Sequence, residues 1–67
     1  MTNAELEQHI LTTLRERPLH SRAGQLLEVL PVPRPLGFYR QLDRALQRLR
    51  KRGLIEFRGP VQGWALR

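Results

Sequence analysis

Arg40, Arg44, Gln47 and Lys51 follow one another at intervals of four, three and four residues. On a helix turning about 100° per residue, that spacing places all four side chains on one face. The chemistry on offer there is polyanion recognition. An arginine guanidinium is a planar fork that binds phosphate oxygens or guanine edges bidentately, and a glutamine amide matches adenine. Nothing comparable assembles for catalysis. The chain has no cysteine, hence no thiol nucleophile, thiolate metal site or disulfide framework. Two histidines, His9 and His20, are too few for a metal cluster. Ser21 has no base partner at a readable spacing, and no glycine-rich loop is present to cradle a phosphate. The expectation is a protein that is not an enzyme and needs no cofactor.

The charge distribution points the same way. The 67 residues carry a net charge of +6. Residues 1–33 hold Arg15, Arg17 and Arg22 against Glu5, Glu7, Glu16 and Glu28, whereas residues 34–67 hold nine cations against Asp43 and Glu56. A single-sign field confined to one half is a steering surface for a polyanion. Eleven of the twelve basic residues are arginine. A G- and C-rich genome would explain that choice over lysine, but not the asymmetry between the halves. A chain this short buries only about 60% of its unfolded surface, leaving little room for a deep pocket. Its apolar runs are too short to span a membrane, and its start lacks the features of a secretory signal. The chain reads as one small cytoplasmic domain covering residues 1–67.

Three helices must position the basic face. Thr2-Asn3-Ala4-Glu5 reads as a capping box opening a helix over 3–16, with Leu6, Ile10, Leu11 and Leu14 as its apolar stripe. Arg17-Pro18 ends it. Ser21 is the predicted cap of a second helix, with Ala23, Leu26, Leu27 and Leu30 as its stripe and Pro31 as its stop. Pro31-Val32-Pro33-Arg34-Pro35 is a stiff extended connector. A third helix follows over 37–52, with Phe38, Leu42, Ala45, Leu46 and Leu49 inward and Gly53 as a left-handed cap. The period then shortens to two. Ile55 and Phe57 share one face, Gly59 to Gly63 is turn chemistry, and Trp64 and Leu66 share a face again, which reads as a hairpin.

Three helices and a hairpin in that order make a mostly helical α+β arrangement. The stretch Arg44-Ala45-Leu46-Gln47-Arg48-Leu49-Arg50-Lys51-Arg52-Gly53-Leu54-Ile55-Glu56 resembles the end of the recognition helix in winged helix-turn-helix DNA-binding proteins. The closing Trp64-Ala65-Leu66 is similar to the strand returning from the wing. The chain departs from the family between helices two and three, where three prolines in five residues replace a short turn or a single-residue strand pairing. The wing sequence Gly59 to Trp64 is faintly similar to that of binders of left-handed duplexes. Asp43 and Gln47, however, stand where those have asparagine and tyrosine, so no such activity is implied.

The resemblance implies sequence-preferring binding of double-stranded DNA, with helix 37–52 in the major groove. The roles then follow from position on that helix. Arg40, Arg44 and Gln47 are the expected base contacts. Tyr39, Gln41, Arg48, Lys51 and Arg52, with Arg58 in the wing and Arg34 in the connector, are the expected backbone contacts. A charged outer face is commonly no more than a solvated one, and cations near a helix end also offset its dipole. Six basic residues against Asp43 is nevertheless a lopsided face, and the dipole disfavours Arg40 near the helix start. Trp64 reads as the lid of the small core rather than a stacking platform. The biological role expected is a small transcriptional regulator or a phage or plasmid accessory factor. RNA stays open as an alternative polyanion. The rival reading is a winged helix that docks on a protein partner or on its own copy, with the basic face incidental.

Overall fold

The structure, a computed structural model, describes residues 2–18 and 21–67. His20 lies outside the described residues. Helix α1 spans Asn3–Glu16, α2 spans Ala23–Val29 and α3 spans Phe38–Lys51. Strands β1 (Ile55–Phe57) and β2 (Trp64–Leu66) close the chain as an antiparallel pair, with Phe57 opposite Trp64 and Ile55 opposite Leu66.

Local chemistry sets the helix ends. Thr2 Oγ1 accepts the Glu5 backbone N–H at 3.1 Å and so caps α1. The reciprocal arm of the expected box differs, because Glu5 accepts from the Thr2 hydroxyl. Gly37 precedes α3 at φ +85 and Gly53 follows it at φ +76, conformations that a side chain would strain. The core draws on every element. Leu6, Ile10 and Leu14 of α1, Leu26 of α2 and all five predicted residues of α3 meet Ile55 and Trp64 of the hairpin. Burying each such aliphatic or aromatic side chain stabilises the fold by about 1.5–3 kcal/mol.

Three features depart from the sequence reading. Ser21 is not the cap of α2. Arg22 occupies that position, and its backbone N–H is bonded to Gln25 Oε1. The Ser21 hydroxyl instead donates to the Gln62 carbonyl at 2.6 Å, while the Ser21 carbonyl accepts the Trp64 N–H at 2.9 Å. The bonds that tie the hairpin to the helices are therefore made just before α2. The proline connector is also more than a spacer. Val32 turns inward from it and is buried, next to Leu30 at the C-cap of α2. Phe57 is half exposed and Leu66 partly so, although the residues opposite them, Trp64 and Ile55, are both buried.

Candidate nucleic-acid interface

The apolar residues of α3 occupy one side and leave a crest and two flanks. Arg40, Arg44, Gln47 and Lys51 form the crest, opposite the buried stripe. Arg40, Arg44 and Lys51 are exposed, and none makes a side-chain hydrogen bond or ion pair with another described residue. Gln47 is half-buried, and its Oε1 accepts from Arg50 Nε at 3.0 Å. The amide NH₂ of Gln47 therefore remains the group available to donate.

One flank faces the wing. Tyr39, Asp43, Gln47 and Arg50 line a groove of about 600 Å³ along α3. Phe57, Pro60 and Trp64 from the hairpin, with Arg22 and Ala23 at the start of α2, complete its lining. The Phe57 and Trp64 rings lie 5.1 Å apart and tilted by 55°, within the range of separations at which aromatic pairs attract. Trp64 is 7% exposed and belongs to the core, in keeping with its reading as a lid.

The other flank faces α1, and its cations are engaged. Glu7 of α1 accepts Arg48 Nε at 3.1 Å and Arg52 Nη1 at 2.8 Å. The Arg48 Nη2 is buried without a partner among the described residues. Both arginines thus link α3 and its end to α1 through Glu7. Gln41 is on the same side, beside Thr2 and Leu6 at the start of α1.

The residues assigned to the phosphate backbone thus do not form one surface. Tyr39 lines the wing groove and Lys51 extends the crest. Arg34 bonds back to the Leu27 carbonyl of α2. Arg58 pairs with Glu56 at 2.8 Å and lines a separate depression with Arg15 and Pro18 at the end of α1. Sequence reasoning missed the engagement of Arg48 and Arg52, since Glu7 lies 41 and 45 residues away along the chain. It also missed Arg22 and Arg50 as contributors to the groove.

Among the described residues, no three His, Cys, Asp or Glu side chains are placed to hold a metal ion. No described helix is long and apolar enough to cross a membrane. Comparison with protein families, with curated proteins and with solved structures returned no match for the chain. Three helices followed by a two-stranded antiparallel hairpin give it a winged-helix-like topology.

Proposed function

We propose that this protein binds double-stranded DNA by laying the crest of α3 in the major groove, as a small sequence-preferring regulator or accessory factor. The observation that carries this reading is the contrast between the two sides of α3. The cations facing α1 are paired with Glu7, whereas Arg40, Arg44 and Lys51 project outward without a side-chain partner among the described residues. Arg40 and Arg44 are forks suited to guanine, and the Gln47 amide is suited to adenine. Lys51, Arg50 and Arg22 supply charge to the flanking phosphates. An A-form RNA duplex has a major groove too deep and narrow for a helix, so the reading favours DNA.

Selection on a random duplex library, followed by a salt titration on the selected site, tests it. Five cations lie on the crest and along the wing groove, namely Arg22, Arg40, Arg44, Arg50 and Lys51. At about −0.9 per neutralised phosphate, and with Arg40 and Arg44 partly occupied by bases, the log–log slope should be about −3 to −4.5. A slope near zero, or no shift of any duplex at low salt, would leave the protein-docking reading in its place.

A further inference from the structure

The groove between α3 and the wing is built differently from the crest. Three aromatic residues, Tyr39, Phe57 and Trp64, line it, and Tyr39 and Phe57 are 57% and 54% exposed. A phosphate track has no use for aromatic faces, and Asp43 on the same wall repels phosphate. Nucleobases use both features. Every base has a face that stacks on aromatic rings, and a carboxylate accepts from exocyclic amines. Gln47 stands one helical turn from Asp43, with its oxygen held by Arg50 and its NH₂ free to donate. A donor and an acceptor thereby line the same groove as the aromatic rings, together with Arg22.

We propose that this groove receives one unpaired nucleobase, so that the protein prefers duplexes carrying a bulged or unpaired nucleotide over fully paired ones. The inference rests on the DNA-binding reading and deepens it. The crest of α3 holds the duplex, and the base displaced beside it enters between α3 and the wing. Tyr39 and Phe57 supply the stacking surfaces, and Asp43 and Gln47 meet the base edge.

Three duplexes of one sequence separate the possibilities: fully paired, with a single adenine bulge, and with an abasic residue at the bulge. The two bulges carry the same extra backbone and differ only in the base. The adenine bulge should bind about tenfold more tightly than either of the others, the gain expected of one stacked base. Trp64 is the only tryptophan, so its fluorescence should change with the adenine bulge and not with the abasic one. Tyr39→Ala and Phe57→Leu should each remove most of the gain, read as the ratio of adenine-bulge to paired-duplex affinity within the same variant, so that any loss of backbone contact cancels. Tyr39 is exposed on α3, so that variant carries the test should the Phe57 substitution loosen the wing. Equal affinity for the adenine and abasic bulges, or a full gain retained by Tyr39→Ala, overturns the groove proposal and leaves the crest reading standing. Failure to bind any of the three duplexes overturns both.

Discussion

Gly63→Ala should be the most damaging single-methyl substitution in the wing. Gly63 is buried at φ +73, and a Cβ there would lie 2.7 Å from Ser21 O, Ser21 C and Arg22 N. All three are backbone atoms, so the methyl group fits only if the wing lifts from the start of α2. Lifting it breaks the Ser21 hydroxyl bond to Gln62 and the Trp64 N–H bond to Ser21. Each is worth about 1 kcal/mol, and the left-handed conformation adds about 1–2 kcal/mol. The loss is then about 3–4 kcal/mol. A chain of 67 residues has a total stability of about 3–10 kcal/mol, so the variant should be close to unfolding. Gly53→Ala is the matched control. Its φ is +76, and its added Cβ would meet only the end of the Arg67 side chain, at 4.0 Å. It should lose only the conformational part, about 1–2 kcal/mol. Urea denaturation followed by circular dichroism measures both. If Gly63→Ala costs no more than Gly53→Ala, the wing is not held by this close approach.

Trp64→Ala should destabilise by about 3–5 kcal/mol, measured by the same denaturation; a variant that stays fully folded yet no longer binds DNA would make Trp64 a contact residue instead. Arg44→Ala should cost about 1–3 kcal/mol on a selected site and relax the preference at one base pair, as read by competition binding. Lys51→Ala should weaken all duplexes alike and reduce the salt slope by about 1. Equal weakening of every sequence by both substitutions would make α3 a phosphate clamp without base reading. Arg52→Ala, although it removes the same charge, should change the salt slope by much less than Lys51→Ala, because Glu7 already holds its guanidinium; a drop equal to that of Lys51→Ala would show that the pair opens on DNA.

The helices were legible because their signals are local. The stripe Phe38, Leu42, Ala45, Leu46, Leu49 announces α3 from spacing alone, and every member is buried. The crest follows from the same periodicity, since whatever is opposite a buried stripe faces solvent. What the sequence hid depends on parts of the chain far apart. Ser21 before a helix looks the same whether it caps that helix or bonds to a turn 41 residues later. Arg48 and Arg44 are alike in type, and only the position of Glu7 on a packed α1 pairs one and leaves the other without a partner among the described residues. The glycine in the wing announced a turn, but not that a neighbouring backbone presses against it.

The clasp between Ser21 and the wing also bears on the order in which the molecule assembles. Strands of three residues do not hold as an isolated hairpin. Joining Ser21 to Gln62 closes a long loop, an entropic cost that is offset only once the helices already stand together. The wing should therefore close last in folding and open first in native fluctuations. Its amides, Gly63 and Trp64 among them, should exchange with solvent through a partial opening, while those of Leu46 and Leu49 wait for global unfolding. A wing that opens alone is a hinge-like part. On that order of opening, the groove beside α3 should widen and narrow with the wing before the helices part.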